Sequence, residues 1–163
     1  MKVFLTGGTG FVGSEVLRQL VSAGHSVRAL VREGSEDKLT VTDGVEIHPG
    51  DISDAASLVG GPEGCDAVIH LVGIIREFPG RGVTFKKMHV VGTENVLEAA
   101  EEQGVSRYLH MSSNGTRESS NTGYHRTKWQ AEEFVRNSDL EWTIFRASVV
   151  VARGGGFGHG RCG

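Results

Sequence analysis

Residues 6–13 read Thr6-Gly7-Gly8-Thr9-Gly10-Phe11-Val12-Gly13, and no other stretch constrains the fold as strongly. The five residues 2–6 form a short apolar strand by pattern, and residues 11–23 read as a helix. The chain must therefore turn from strand to helix within a few residues. Gly7 can take backbone angles closed to a side chain, Gly10 lets a ligand approach the backbone, and Gly13 lets the helix pack tightly on a sheet. The helix then presents free N–H groups and the positive end of its dipole, which suits a pyrophosphate. Glycine triplets also occur in ordinary turns. Placed at the first strand–helix junction of an alternating chain, this one is a dinucleotide-binding fingerprint, with Gly7, Thr9, Gly10, Phe11, Val12 and Gly13 as candidate contacts.

The rest of the chain alternates in the same way. Apolar patterning and turn residues predict strands at 2–6, 26–31, 45–48, 67–72, 107–111 and 142–145. They predict helices at 11–23, 36–39, 54–59, 83–103 and 124–137. Val16, Leu17, Leu20 and Val21 give the first helix its apolar stripe, and Gly24 stops it. Strands that alternate with helices run parallel through right-handed crossovers. The expected architecture is α/β: a doubly wound Rossmann sheet in the order 3-2-1-4-5-6, with ligand outside the carboxyl ends of the strands.

Composition excludes several other classes. A chain of 163 residues makes one domain, expected at 1–151. The formal charge of -3, with no basic run, gives no case for nucleic acid. Apolar runs are too short to span a membrane, and no signal peptide is expected, since residues 2–5 run straight into the glycine turn. Cys65 and Cys162 lack metal-ligand spacing, as do the histidines, so the expectation is a reduced cytoplasmic chain without a metal. Six of the 24 glycines fall in the last ten residues, and the tail 152–163 is expected to be disordered.

Candidate site residues fall at strand ends. The second strand ends in Val31-Arg32-Glu33, where the adenosine ribose would lie. An acid there accepts from ribose hydroxyls, whereas an Arg pairs with a 2′-phosphate. Arg32 follows the strand directly, which favours NADP(H) over NAD(H); the alternative is that both charges are simply solvated. After the third strand, Asp51 either accepts from the adenine amino group, with Ile52 against the ring, or only caps the next turn. Leu71, Val72 and Gly73 end the fourth strand beside the cofactor path. The fifth ends in Ser112-Ser113, and the next helix opens with Tyr124 and Lys128, four apart and so on one face. A nearby ammonium lowers a phenol's pKa from about 10 and makes it a usable acid/base for a carbonyl or carbinol. A Ser hydroxyl can hold the substrate oxygen. The plainer alternative is a surface Tyr and Lys on an amphipathic helix. His70 and His110 read as hydrogen-bonded core histidines, His25 and His159 as turn or tail residues, and Trp129 and Trp142 as packing residues.

With these motifs in place, residues 1–150 resemble the short-chain dehydrogenase/reductase superfamily in its extended, epimerase-like branch. Within it, the chain looks similar to the nucleotide-binding accessory subunit of respiratory complex I. The match rests on Thr6 to Gly13, on Gly50-Asp51, on Ser113 (or Ser112), and on Tyr124 with Lys128. It also rests on Val91-Gly92-Thr93-Glu94-Asn95-Val96-Leu97-Glu98-Ala99-Ala100 and on Trp142-Thr143-Ile144-Phe145-Arg146. The resemblance implies an NAD(P)-dependent oxidoreductase or epimerase-like enzyme acting on a small molecule. Tyr124 would be its acid/base, Lys128 the electrostatic partner and Ser113 the substrate-oxygen donor, with Tyr124 and Lys128 also touching the cofactor. It implies helical surfaces for a homo-oligomer or larger assembly. Two departures stand out: His89 occupies a position often held by Asn, and the glycine-rich residues 152–163 are expected to stand where the family continues into a substrate lobe. A binding module without turnover is the alternative.

Overall fold

In the computed structural model, residues 1–150 are described. The expected tail at 152–163, with Cys162 and His159, lies outside them, as does the domain limit at residue 151. Six parallel strands form one sheet in the order β3-β2-β1-β4-β5-β6. They are β1 (Lys2–Thr6), β2 (Ser26–Val31), β3 (Val45–Pro49), β4 (Ala67–His70), β5 (Arg107–Ser113) and β6 (Glu141–Ala147). Helix α1 (Phe11–Ser22) follows β1, α2 (Gly92–Glu102) precedes β5, and α3 (Gly123–Asn137) precedes β6.

A core lies on each face of the sheet. Leu5, Val27, Ala29 and Val31 pack with Leu17 of α1 on one side. Phe4, Val68 and Tyr108 pack with Val96, Leu97 and Ala100 of α2 and Val135 of α3 on the other. Alternate residues of the central strands feed opposite cores, so these strands are apolar almost throughout. Gly24 ends the first helix with φ 78°, where a side chain would be strained.

Several expected boundaries shift. The fourth strand stops at His70 rather than at residue 72, because Leu71 and Val72 leave the ladder to line a cavity. The fifth runs to Ser113 rather than 111, since β6 is longer than expected and keeps pairing with it through Ser113↔Ala147. The helix expected at 83–103 is split: Lys86–Val91 is π-helical and only Gly92–Glu102 is α-helical. The helices expected at 36–39 and 54–59 are single 3-10 turns, Glu36–Lys38 and Ala55–Leu58, the second capped by Asp54 accepting from Ala56 N–H at 3.2 Å. Each apolar run there is too short to propagate a helix.

A buried acid ties three elements together. Glu132 of α3 is fully buried and accepts from Ser112 of β5 at 2.5 Å, from Arg136, and from Arg146 of β6 at 2.6 and 3.0 Å. Burial alone would raise its carboxyl pKa. The bonds from Arg146, Ser112 and Arg136 outweigh this and hold it below the ordinary value. Both arginines also lie over the Trp129 ring, whereas Trp142 is 41% exposed on the edge strand rather than packed inside.

Candidate cofactor cavity and active site

The glycine turn closes on itself. Gly7 has φ 81°, its carbonyl accepts from Gly10 N–H at 3.0 Å, and Gly10 accepts from Ser14 N–H at 2.8 Å to start α1. No side chain caps this helix end, so its first N–H groups point beyond the turn. A Cβ on Gly13 would stand 1.9 Å from the Gly7 carbonyl oxygen, so the helix packs on the turn only because that position has none.

Against this turn lies a cavity of about 380 Å³. Gly7, Thr9 and Gly10 form its floor, and Leu71, Val72 and Gly73 form the wall beyond β4. Arg32 stands at the end of β2, and Gly50, Asp51 and Ile52 follow β3. Most of the expected contacts at the first four strand ends thus line one cavity. Phe11, Val12 and Gly13 are not among its lining residues; Phe11 is 48% exposed, and Gly13 acts by packing. Leu30, Ile74, Val83 and Met88 also line it. Sequence patterning missed these four: periodicity says nothing of where the loop carrying Ile74 and Val83 folds back, nor that Leu30 of β2 and Met88 of the turn 86–91 reach a cavity.

Asp51 fills the plainer of the two roles left open by the sequence, that of a turn cap. One carboxylate oxygen accepts from Ser53 N–H and from its hydroxyl, each at 2.8 Å, so it caps the turn, while the residue also lines the cavity. Ile52 is buried between the cavity and α2, and it lies where a Cβ on Gly92 would come within 2.4 Å of its Cδ1. Gly92→Ala is therefore expected to turn Ile52 toward the cavity. The displaced atom is the end of a flexible side chain, so the fold should tolerate the change at under about 1.5 kcal/mol. Dinucleotide affinity should fall about three- to tenfold, measured by calorimetric titration; unchanged affinity refutes the assignment of Ile52 to the cavity wall.

The chemistry-bearing residues stand apart from this cavity lining, at the same sheet end. Ser112 is buried against Glu132, whereas Ser113 is half-buried with its hydroxyl 3.4 Å from the Asn114 carbonyl. This makes Ser113 the accessible member of the pair. Tyr124 is half-buried among Phe85, His89 and His125, with ring centroids at 5.8, 5.4 and 5.0 Å. Lys128, one turn further, is only 2% exposed and donates from Nζ to the Met111 carbonyl at 2.6 Å. Burial lowers its pKa to about 8, against a smaller opposite pull from Glu132. It is thus still mostly charged at pH 7. Among the described residues Lys128 and Tyr124 lie one turn apart on α3, and no hydrogen bond joins them.

The core histidines divide. His70 is satisfied: Thr93 directs its hydroxyl proton to the His89 carbonyl at 2.6 Å, so it accepts from Nε2 at 3.2 Å, leaving Nδ1 to accept from Thr6 at 2.6 Å. His110 corrects the expectation. It is fully buried and stacks on His70 at 5.5 Å, yet neither ring nitrogen has a hydrogen-bond partner among the described residues. No group of three or more metal-ligating side chains gathers among the described residues, and no described helix is long and apolar enough to cross a membrane.

A sheet in this order, with an uncapped helix end over a strand-end cavity, defines a nucleotide-binding α/β protein. The chain belongs to the NAD(P)H-binding family, whose model matches residues 7–156. It is 36% identical over 119 residues to a 3β-hydroxysteroid dehydrogenase/Δ5→4-isomerase of Mycobacterium tuberculosis, covering 69% of this chain and 32% of that protein. It is 30% identical over 151 residues to a ketoreductase of Stigmatella aurantiaca that acts on a farnesyl dihydroquinoline oxide, covering 83% of this chain and 45% of the relative. The chain thus spans less than half the length of either. In fold it matches the Bordetella bronchiseptica enzyme WbmH, solved with NAD+, at a TM-score of 0.76 and 24% identity over 89% of this chain and 55% of that one. It also matches gox2253 at 0.74 and 30% identity, over 88% and 50%. The family model and the fold together make this an NAD(P)-binding Rossmann protein.

Proposed function

We infer that this chain carries the cofactor and acid/base half of an NADP(H)-dependent oxidoreductase acting on a carbonyl or carbinol compound. The observation that carries the reading is the placement of Ser113, Tyr124 and Lys128 at the strand end that also holds the cavity. Gly7, Thr9 and Gly10 would hold a dinucleotide there, which would supply hydride for reduction of a carbonyl or accept it from a carbinol. In reduction Tyr124 gives its phenolic proton to the carbonyl oxygen, in oxidation its phenolate takes the carbinol proton, and Ser113 donates a hydrogen bond to the same substrate oxygen. The phenolate left behind is stabilised by the Lys128 charge. The names of the two relatives, a dehydrogenase/isomerase and a ketoreductase, support this class.

NADPH should raise the melting temperature of the protein, since a ligand that binds only the folded state stabilises it. With deuterium-labelled NADPH and a panel of carbonyl compounds, label should pass to product, and Tyr124→Phe should cut the rate at least about a hundredfold. Activity should also fall above about pH 8, where the Lys128 ammonium loses its proton. A melting shift without label transfer to any compound would leave the binding reading and remove the enzymatic one.

Arg32 carries the preference for NADP(H). It is exposed at the rim of the cavity directly after β2, where a guanidinium can take a 2′-phosphate in bidentate fashion. Arg32→Asp should weaken NADPH binding by about a hundredfold and NADH binding by less than about threefold. Equal losses for the two would refute the preference.

A second reading, a non-catalytic NADP(H)-binding module with a structural or sensing role in a larger assembly, draws on one observation. Lys128 Nζ is engaged by the Met111 carbonyl rather than by Tyr124. In that case Tyr124→Phe leaves every measured property unchanged except the spectrum of the tyrosine.

A further inference from the structure

His89 has no part in the reaction outlined above, yet it touches both the cavity wall and Tyr124. It lies in the π-helical turn Lys86–Val91, a geometry that recurs at functional positions. Its ring is fully buried, and both nitrogens meet polar groups. Nδ1 is 2.9 Å from the Thr127 hydroxyl oxygen, and Nε2 is 3.1 Å from both the amide nitrogen and the carbonyl oxygen of Ile74.

The protons on this ring can be placed. The Thr127 hydroxyl proton is directed at carbonyls of its own helix, Gly123 at 2.8 Å and Tyr124 at 3.0 Å. Having no second proton, the hydroxyl accepts from the ring, which puts the imidazole proton on Nδ1. Nε2 is then bare and accepts from Ile74 N–H. Burial, helped by the nearby Lys128 charge, lowers the pKa of His89 to about 4, so the ring stays neutral at pH 7. One face of the ring lies flat on Phe85 at 5.4 Å, and Tyr124 meets it edge-on at 5.4 Å.

Ile74 lines the cofactor cavity one residue past Gly73, while Thr127 and Tyr124 share the first turns of α3. A single side chain therefore bonds the cavity wall to the helix that carries the phenol, and packs on the phenol ring itself. We propose that His89 is a positioning residue: a neutral clasp between Ile74 and Thr127 that couples occupancy of the cavity to the placement of the Tyr124 ring. The coupling rests on the reading that the cavity holds the dinucleotide; the bonding of the clasp does not.

The chain has two tyrosines, Tyr108 and Tyr124, so tyrosine-selective isotope labelling gives two assignable ring signals. Tyr108 is fully buried and reports on the fold. In the unaltered protein, NADPH should shift the Tyr124 signal and leave Tyr108 in place. His89→Phe keeps a flat ring between Phe85 and Tyr124 but removes both hydrogen bonds. In this variant NADPH should still bind, at most about tenfold more weakly, while the Tyr124 shift falls to less than about half. His89→Gln, whose amide both donates and accepts, should restore part of the shift. A Tyr124 shift of equal size in the unaltered and His89→Phe proteins would overturn the proposal. Failure of the unaltered protein to bind NADPH would overturn the cofactor reading instead. Nitrogen-15 spectra of the ligand-free protein then still decide the clasp: a neutral imidazole protonated on Nδ1, absent from either variant, is expected. A His89 ring protonated on Nε2 would overturn the proposal.

Discussion

Gly13→Ala should reduce NADPH affinity by about a hundredfold and lower the melting temperature of the ligand-free protein. The added Cβ would stand 1.9 Å from the Gly7 carbonyl oxygen, 2.7 Å from its carbon and 2.9 Å from Gly8 Cα. All three are backbone atoms, so no side-chain rotation relieves the clash. Either α1 lifts off the turn or the turn opens, and both displace the N–H groups that face the cavity. Overpacking of this kind costs about 1–3 kcal/mol, which lowers the melting temperature by about 2–12 °C. The loss of affinity comes on top, because the phosphate-facing end of α1 no longer matches Gly7 and Gly10. Calorimetric titration and thermal melting check both parts. Full retention of NADPH binding would show that the turn is not where the pyrophosphate sits.

Glu132→Gln should have the largest effect on stability. The carboxylate is fully buried and serves Ser112, Arg136 and Arg146 at once. An amide keeps the shape but not the charge, and it turns a donor toward guanidinium groups that also donate. Breaking a buried pair costs about 3–5 kcal/mol; with both arginines partly exposed, the lower end is expected, a loss of about 6–12 °C. The pH dependence follows from the same group. Its pKa in the folded protein is held below the ordinary 4.5, so its contribution is complete above that value. The contribution fades as pH falls through the lower, folded value. Acid should therefore destabilise the natural protein more steeply than Glu132→Gln below about pH 4.5. Parallel pH profiles of melting temperature would refute this account of how β6 is held.

Much of the fold was legible because its signals are local. A parallel strand covered on both faces must be apolar nearly throughout, and Ala67, Val68 and Ile69 show that before the strand ends at His70. The glycine turn was legible for a steric reason: a Cβ at position 13 has nowhere to go. Strand ends were read less well. The end of β5 depends on how far β6 pairs with it, and that partner lies about 30 residues away in the chain. The interrupted helix at 86–91 was not legible, since its residues suit a helix of either hydrogen-bonding pattern.

The candidate site divides along the same line. The order of the sheet and the chemical types at its strand ends (Arg32, Asp51, Ser113, Tyr124 and Lys128) follow from the sequence, because alternation and parallel topology carry those positions to one edge. Local order alone marked the chain as a dinucleotide-binding one. Only the tertiary structure decided which groups are exposed and which are tied. It placed Ser113 outward and Ser112 against Glu132, buried Lys128 under the Met111 carbonyl, and set His89 between Ile74 and Thr127. Each of these rests on contacts between residues far apart in the chain, and exposure, charge state and hydrogen-bond partners are properties of such contacts rather than of spacing.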